Sequence, residues 1–456
     1  MNSSKSSITS VLAGIFFKGP ERSIKAKKNI LFSLVIKGLS IVISLLLVPL
    51  TIHYVNPTRY GVWLTLSSII AWFGFFDIGF GNGMRNKLAE AIAKGDHLAA
   101  RVYVSTTYGV LSMIIAAALI IFICINPFLN WSRILNTPAD MAGELSVLAL
   151  IVFVFFCIQF VLQLITTILT ANQEPAKASF YNLLGSLFSL VIIFTLTKTT
   201  SGNLIYLGTV LSLTPVLVLL LSSLWYFNHE YKKYSPSIKY IKFKFARDLM
   251  TLGLKFFIIQ IASVVIYQTS NIIIAQLFGP SEVTPFNIAF KYFGIISLGF
   301  GIVMTPFWSA FTEAWIKKDI LWIRNTMKRL MQLWCLVGIV ALIMLIFSKP
   351  VYRLWVGDEI KVQVSISIVM AGYVLLNAWN AIFSHFLNGV GKIKLQLYSA
   401  AFAALANIPL GIFLGKHLGI YGVVLATTIL ASVSSIWSPL QYYKLINNKA
   451  KGIWNK

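Results

Sequence analysis

The stretch that decides the fold runs from Trp72 to Asp96 and reads WFGFFDIGFGNGMRNKLAEAIAKGD. It leaves an apolar run, passes the carboxylate of Asp77, crosses a glycine-rich turn at residues 79–83 and ends on a charged amphipathic segment. A charge inside an apolar membrane helix is expensive, so Asp77 is a candidate functional residue. The basic residues that follow indicate which side of a membrane the stretch faces when it emerges.

The composition is that of a membrane protein. Of 456 residues, 57% are hydrophobic and 11% are charged, and the mean hydropathy is +0.80. Soluble proteins carry about 25% charged residues, so we predict an all-α polytopic membrane protein. A net charge of +24 would suggest nucleic acid in a soluble protein. Here the basic residues lie between apolar runs, where they set topology and meet anionic phospholipids, so we expect no nucleic-acid partner.

Apolar runs separated by basic loops predict about twelve transmembrane helices. Twenty-eight basic residues fall on one side of this arrangement and seven on the other, with three inside helices. Because basic residues concentrate on the cytoplasmic side, both termini are predicted to be cytoplasmic. The predicted segments are a basic cytoplasmic N-terminal segment (1–29), an N-terminal six-helix half (30–227), a basic cytoplasmic linker (228–250), a C-terminal six-helix half (251–443) and a cytoplasmic tail (444–456).

Part of the opening stretch is repeated. The segments Glu90–Asp96 and Glu313–Asp319 share the pattern E-A-x-x-K-x-D at an offset of 223 residues. Six helices per half is an even number, so the two halves share one orientation and are related by an axis along the membrane normal, with substrate between them. We expect each copy to be an interfacial helix, the first joining helices 2 and 3 and the second joining helices 8 and 9.

Four charged residues fall inside predicted helices, namely Lys37, Asp77, Lys255 and Lys291. We expect all four nearer the cytoplasmic half of the membrane. The lysines either snorkel to the headgroups or form a cationic substrate-binding cavity between the halves. Asp77 either pairs with a nearby lysine or with Arg85, or serves as a coupling or gating site.

Polar side chains also cluster in predicted helices 7 and 10. Asn271, Asn377 and Asn380, with Trp379 beside the latter two, are candidates for glycan contacts, and interhelical hydrogen bonding is the alternative for each. Histidine is a common proton-carrying residue, which makes His385 a second coupling or gating candidate, with a structural role as the alternative.

No enzymatic signature is visible. The sequence has no nucleotide-binding glycine loop with its lysine and no arrangement typical of a catalytic triad, and its five histidines are scattered. A membrane glycosyltransferase or polymerase needs carboxylates outside the bilayer, and the longest outer loop, about 127–144, holds only Asp140 and Glu144. We therefore expect no enzyme activity, no catalytic residue, no metal site and no cofactor.

The chain resembles the O-antigen flippases, which are polysaccharide transporters of the multidrug/oligosaccharidyl-lipid/polysaccharide exporter superfamily. The residues that carry the resemblance are FDIGFGNGMRNKLAEAIAKGD at 76–96 and LTANQEPAKASFYNLLGSL at 169–187. The resemblance implies a fold like that of the MATE multidrug exporters, in a bacterial inner membrane. It also implies a flippase that moves undecaprenyl-diphosphate-linked oligosaccharide to the periplasmic leaflet by alternating access.

The resemblance further implies partners in the same pathway, a polymerase and a chain-length regulator. Charged cavity residues of such flippases meet an anionic substrate, and here Lys37, Lys255 and Lys291 are the candidates by helix position. The alternative within the superfamily is a cation-coupled drug exporter.

Overall fold

The computed structural model describes residues 21–77, 79–172, 174–247, 265 and 268–455, and helices are its regular structure. The first part of the chain forms α1 (Glu21–Val55), α2 (Pro57–Ala71), a 3-10 turn (Trp72–Asp77), α3 (Phe80–Ala93), α4 (His97–Ile125), α5 (Trp131–Leu135), α6 (Ala142–Leu162), α7 (Leu164–Ala171), α8 (Pro175–Thr199) and α9 (Leu204–Asn228). After a helical segment at 268–278, the second part forms α10 (Pro280–Ile316), α11 (Ile320–Ile346), α12 (Ser348–Val356), α13 (Val364–Val390), α14 (Lys394–Leu418) and α15 (Ile420–Ile446).

Ten stretches of the described chain are long and apolar enough to cross a membrane, which confirms the all-α polytopic class. The second predicted span is divided between α2 and the 3-10 turn, and most of the seventh lies outside the described residues. The total of twelve, the cytoplasmic termini and the segment boundaries therefore stay predictions. The first helix begins at Glu21, ahead of the predicted start at residue 30.

Side-chain contacts define two ends of the molecule. At one end, the Tyr54 and Thr200 hydroxyls are 2.8 Å apart, beside the turn between α1 and α2. At the other end, Lys177 lies 3.3 Å from Glu230 at the start of the basic linker, and Arg324 donates to Asn447 near the C-terminus. We call the second end the basic side and the first end the far side.

The helices form two bundles. Helices α1 to α9 pack on one another in the first bundle, and α10 packs on α13, and α13 on α15, in the second. One hydrophobic core is continuous between the two bundles at the far side, where it includes Val62 and Val283. A separate core around Phe311 and Phe386 lies in the second bundle near the basic side. Within the described residues the bundles thus share a core only at the far side, and we infer a cleft between them on the basic side, which we call the interbundle cleft.

The far-side contact joins equivalent positions of the repeat. Thr284 donates its hydroxyl hydrogen to the Pro57 carbonyl, with 2.7 Å between the oxygens. Gly61 packs on Pro280 so closely that a Cβ at position 61 would lie 1.8 Å from the Pro280 carbonyl oxygen. Residues 57 and 61 match 280 and 284 at the offset of 223. The two contacts are therefore the two halves of one pseudo-symmetric interface.

The turn on the basic side is the same in both copies. Asp96 accepts a hydrogen bond from the amide of Ala99 at 2.8 Å, and Asp319 accepts one from Trp322 at 3.0 Å, so each aspartate caps the following helix. Each aspartate follows a residue with positive φ, Gly95 at 73° and Lys318 at 58°.

The two copies differ in the helix that leads into this turn. In the first copy, Gly79 adopts φ 81° and ψ 5°, and this left-handed residue separates the 3-10 turn from α3. In the second copy, α10 continues without interruption from Pro280 to Ile316. A separate helix therefore forms in the first copy, as expected, and its interfacial position stays a prediction. The expectation of a separate helix was wrong for the second copy. Residues 302–306 contain no glycine to break the helix where Gly79, Gly81 and Gly83 stand in the first copy.

The turns at the far side differ as well. Asn56 precedes Pro57 with φ 75° and ψ 163°, a region that is almost exclusive to glycine, and its counterpart Gly279 precedes Pro280 with φ 94° and ψ 160°. The side chain of Asn56 accepts a hydrogen bond from the Arg59 amide at 3.0 Å and caps α2. Gly279 has no side chain to do so.

Candidate functional site

The roof of the interbundle cleft is a buried polar network that joins the bundles. Asn271 donates to the hydroxyl of Ser68 at 2.8 Å, and Asn287 donates to the side-chain oxygen of Asn271 at 2.7 Å. All of these groups are shielded from solvent, so each bond is costly to lose. The amide of Asn271, predicted to contact glycan, is thus engaged in holding the bundles together, and its glycan role stays a prediction.

Lys291 lies next to this roof. Thr284, Asn287 and Lys291 follow a spacing of three and four residues, so they share one face of α10, the face that meets the first bundle. The side chain of Lys291 is half-buried, and within the described residues it has no carboxylate within 4 Å. The structure therefore places a cation without a described counterion at the top of the cleft.

The expected depth of Lys291 was wrong. Because α10 begins at the far side, Lys291 lies eleven residues below Pro280, about 16 Å at the rise of an α-helix, which is in the half of α10 nearer the far side. The expectation of a position nearer the cytoplasmic half overlooked the direction of this helix.

Lys37 lies lower on the other bundle. Its side chain is exposed, and it lies outside the face of α1 on which Ile36 and Ile43 pack against Leu183 of α8. Eighteen residues separate it from Val55, which puts it about 27 Å below the far end of α1. The same helix meets the second bundle through Leu45, whose carbonyl accepts a hydrogen bond from Trp355. The third lysine, Lys255, lies outside the described residues.

Asp77 ends the 3-10 turn and caps the break in its helix. Its carboxylate accepts a hydrogen bond from the Gly81 amide at 2.8 Å, and the absent side chain of Gly81 leaves room for this approach. Within the described residues no basic group lies within 4 Å of this carboxylate, so the expected pair with Arg85 does not form. The coupling or gating role of Asp77 stays a prediction.

Asp77 also lines a polar cavity of about 380 Å³ inside the first bundle. Sequence reasoning missed the opposite wall, where α6 gives way to α7 at Gln163. The signal was available, because polar residues at 163, 166, 167 and 170 recur at helical spacing within an apolar run. The lining residues are Gly74, Asp77, Gly81, Asn82, Arg85, Phe156, Phe160, Gln163, Leu164, Thr166, Thr167 and Thr170.

The predicted glycan contacts in α13 lie against α15. Asn380 donates to the Ala431 carbonyl at 2.9 Å and accepts from the Ser435 hydroxyl at 2.9 Å. The indole of Trp379 donates to the Ser435 carbonyl and packs edge-on against Trp334. Asn377 is half-buried and makes no side-chain hydrogen bond within the described part of the chain. Of the four glycan candidates, Asn377 is therefore the one whose amide is available to a ligand.

His385 lies further along α13, toward the basic side. Its Nδ1 is 2.8 Å from the Ala381 carbonyl one turn earlier, and its ring meets Trp308 of α10 edge-on at 6.2 Å. It is half-buried, between two helices of the second bundle. The structure brings it together with neither Asp77 nor Lys291 in any described contact, and its coupling role stays a prediction.

The sequence is similar to known transporters. Residues 26–309 match the family model described as "Polysaccharide biosynthesis protein", and residues 256–413 match the model "MatE". A protein of Salmonella typhi named "Putative O-antigen transporter" is 21% identical over 433 residues, which cover 93% of this chain and 96% of that protein.

Solved structures of MATE family transporters of the multidrug/oligosaccharidyl-lipid/polysaccharide exporter superfamily share the fold. An inward-facing one has a TM-score of 0.76 at 13% identity and covers 92% of this chain and 100% of its own. An outward-facing one has a TM-score of 0.65 at 16% identity and covers 93% and 96%. The MATE-like fold is therefore confirmed, and the relatives are transporters rather than enzymes. The chain belongs to the polysaccharide biosynthesis protein family, and it is a multi-pass membrane protein with the fold of the MATE transporters.

Proposed function

We propose that the protein is a flippase for a polyprenyl-diphosphate-linked oligosaccharide, such as an O-antigen repeat unit. It moves the headgroup from the cytoplasmic to the periplasmic leaflet of a bacterial inner membrane, and the basic side faces the cytoplasm. The observation that carries the proposal is Lys291, a half-buried lysine without a described counterion at the roof of the cleft. A cation held at this depth is costly unless an anion visits it, and a diphosphate is such an anion.

The positions of the two described lysines support a path. Lys37 on α1 lies about 10 Å nearer the basic side than Lys291 on α10, judged from the helical rise. An anionic headgroup entering from the basic side meets Lys37 first and Lys291 at the roof. The lipid tail stays in the bilayer during this movement, and no covalent step is needed.

The closed far side supports alternating access. The bundles meet through the Asn271 network and the contacts of Gly61 and Thr284, all on the far side of the cleft. Opening this contact and closing the basic side would expose Lys291 to the periplasm. The higher TM-score with an inward-facing transporter than with an outward-facing one agrees with a state open to the basic side.

The test is complementation of a bacterial strain that lacks its flippase. Lys291→Ala is expected to reduce surface glycan at least tenfold, Lys37→Ala to reduce it less, and Lys291→Arg to retain most of it because the charge remains. Lys317→Ala is the matched control, since Lys317 is exposed on the basic side and pairs with Glu313. Full surface glycan from Lys291→Ala and Lys37→Ala together, at normal expression, would refute the lysine path.

A cation-coupled drug exporter is the competing function, because residues 256–413 also match the MatE model. Overexpression would then raise resistance to cationic compounds, and Lys291→Ala would raise it further by removing a repelling charge. A flippase gives no such resistance and restores surface glycan instead.

A further inference from the structure

The linker between the bundles is fastened along α4. We call residues 231–247, YKKYSPSIKYIKFKFAR, the linker strap. The Ser237 amide donates to the Ser105 hydroxyl at 3.1 Å, the Lys242 amide donates to the Thr106 hydroxyl at 3.1 Å, and Arg101 donates to the Ser235 carbonyl at 3.0 Å. Because two of these bonds use strap amides, they fix its backbone rather than a mobile side chain.

Packing reinforces the hydrogen bonds. The side chain of Ile241 lies so close to Gly109 of α4 that a Cβ there would be 2.7 Å away. The guanidinium of Arg101 stacks over the Tyr240 ring at 4.4 Å. Tyr231 and Tyr234 are 4% and 2% exposed, so the start of the strap is buried in the bundle. The strap is thus an ordered part of the first bundle.

The opposite face of the strap is apolar and basic. Ile238 is 88% exposed and Phe243 is 58% exposed. Lys239, Lys242 and Lys244 alternate with them and are exposed as well. The strap has six basic residues and no acidic one, and none of these three lysines has a carboxylate within 4 Å among the described residues.

The position of the strap fits the surface of a bilayer. It contacts α4 from Arg101 to Gly109, which is about 12 Å along a helix that begins at His97 on the basic side. We take this basic-side part of α4 to lie at the boundary between headgroups and acyl chains. Alternating lysines and large apolar side chains are the pattern that binds such an interface.

We propose that the linker strap is a binding site for anionic phospholipid headgroups in the leaflet on the basic side. Ile238 and Phe243 insert among the acyl chains, and Lys239, Lys242 and Lys244 bind the phosphates above them. We assign a bilayer lipid rather than the transported substrate to this site for two reasons. The described contacts of the strap are all with the first bundle, and α4 is not among the helices that contact the second bundle across the cleft.

The experiment compares the full-length protein in two kinds of nanodisc, one of phosphatidylcholine and one of phosphatidylcholine mixed with phosphatidylglycerol. Hydrogen exchange of the strap amides is measured in both, and native mass spectrometry counts the phosphatidylglycerol retained after detergent extraction. We expect slower exchange and retained phosphatidylglycerol for the wild type in mixed discs. A variant with Lys239→Gln, Lys242→Gln and Lys244→Gln is expected to lose affinity by about fivefold per lysine, roughly 100-fold in total at low salt.

The matched control is Lys317→Gln with Lys318→Gln and Lys328→Gln, which removes three exposed lysines from the basic side and leaves the strap intact. It is expected to behave as the wild type. Equal strap exchange in both discs, or equal lipid retention by the two triple variants, would overturn the proposal. Protection by added inorganic diphosphate in phosphatidylcholine discs would also overturn it and would indicate a substrate site instead. These readouts do not depend on glycan flipping, so they stand apart from the proposed function.

Discussion

The segment from Pro57 to Asp96 in the first bundle and the segment from Pro280 to Asp319 in the second bundle are copies of one element, and they differ at a few informative positions. Both begin with a proline at the far side and end on the same capped turn at the basic side. At the offset of 223 residues, Gly61 aligns with Thr284, Ser68 with Lys291, and Asp77 with Phe300. What the copies share is the framework, namely the caps and the turn.

What the copies do not share lies on the route between the two sides. Gly61 and Thr284 lie in the far-side contact. Ser68 accepts a hydrogen bond in the roof of the cleft, and Lys291 lies next to that roof. Asp77 caps a break in its helix, whereas Phe300 lies within a continuous helix. The two copies therefore share a framework but differ in chemistry. The first copy supplies the small residue Gly61 and the hydrogen-bond acceptor Ser68, and the second supplies the cation Lys291. Four substitutions test this comparison, in order of decreasing expected effect.

The largest effect is expected at Gly61. Gly61→Val places a side chain against the Pro280 backbone, which cannot rotate away, so the state closed at the far side is destabilised by about 3 kcal/mol or more. The measurement is the distance between spin labels on Thr58→Cys and Ser281→Cys, two exposed and equivalent positions, with exposed Cys124 and Cys335 replaced by serine. The distance is expected to lengthen, and transport to be lost.

The control is Gly294→Val in α10, because a Cβ at Gly294 would contact nothing within 4 Å. It is expected to leave the label distance unchanged. An unchanged distance in Gly61→Val as well would mean that the far-side contact does not govern the closed state.

The next effect is expected at Ser68. Ser68→Ala removes the acceptor of the Asn271 side chain and leaves a buried N–H unpaired, at a cost of about 1–3 kcal/mol to the closed state. The same label distance is expected to shift in the same direction but less than in Gly61→Val. Ser67→Ala serves as control, since the hydroxyl of Ser67 has no hydrogen-bond partner among the described residues. Equal shifts in both variants would contradict the role of the network.

A smaller effect is expected at Asp77, where the copies differ in continuity. Asp77→Ala removes the cap on Gly81 and is expected to cost about 1 kcal/mol, which would speed hydrogen exchange of the Gly81 amide about fivefold. Asp77→Asn keeps an acceptor oxygen and is expected to exchange like the wild type. If Asp77→Asn exchanges as fast as Asp77→Ala, the carboxylate charge rather than the hydrogen bond stabilises the break.

The smallest effect is expected in the shared turn. Lys318→Gly removes the strain of a lysine with positive φ, but it also raises the conformational entropy of the unfolded chain. The free energy of unfolding is therefore expected to rise by only about 0.5 kcal/mol. Gly95→Lys in the first copy is expected to cause a loss of similar size. Hydrogen exchange at the start of α11 and α4 measures both changes. A gain in both variants would show that the two turns are not equivalent.

Much of the framework was predictable from the sequence because it depends on local patterns. Apolar runs predicted the all-α polytopic class, and the repeated E-A-x-x-K-x-D marked two segments that end in turns with the same caps. The break at Gly79 followed from the glycines around it. The second copy was misread because its charged end continues the helix, and only the absence of glycine at 302–306 distinguishes the two cases.

The candidate site was less predictable because its contacts are between distant residues. Asn271 meets Ser68 across 203 positions, and no local pattern reports such a partner. From its sequence, the strap is likewise only a charged loop. Its attachment depends on the hydrogen bonds from its amides to Ser105 and Thr106, which only the structure shows. Lys291 was recognised as a buried charge but placed at the wrong depth, since depth depends on the direction of a helix and not on its composition.

The far-side turns of the two bundles, at Asn56 and Gly279, differ in backbone strain. Its backbone lies where a residue with a side chain is strained by about 1–3 kcal/mol, while Gly279 holds the equivalent turn without that cost. Strain of this size corresponds to a five- to 150-fold ratio between two states. Any rearrangement that lets Asn56 return to an ordinary conformation releases that energy. The first bundle thus stores backbone strain at Asn56 in the closed state, and the equivalent turn of the second bundle stores none at Gly279.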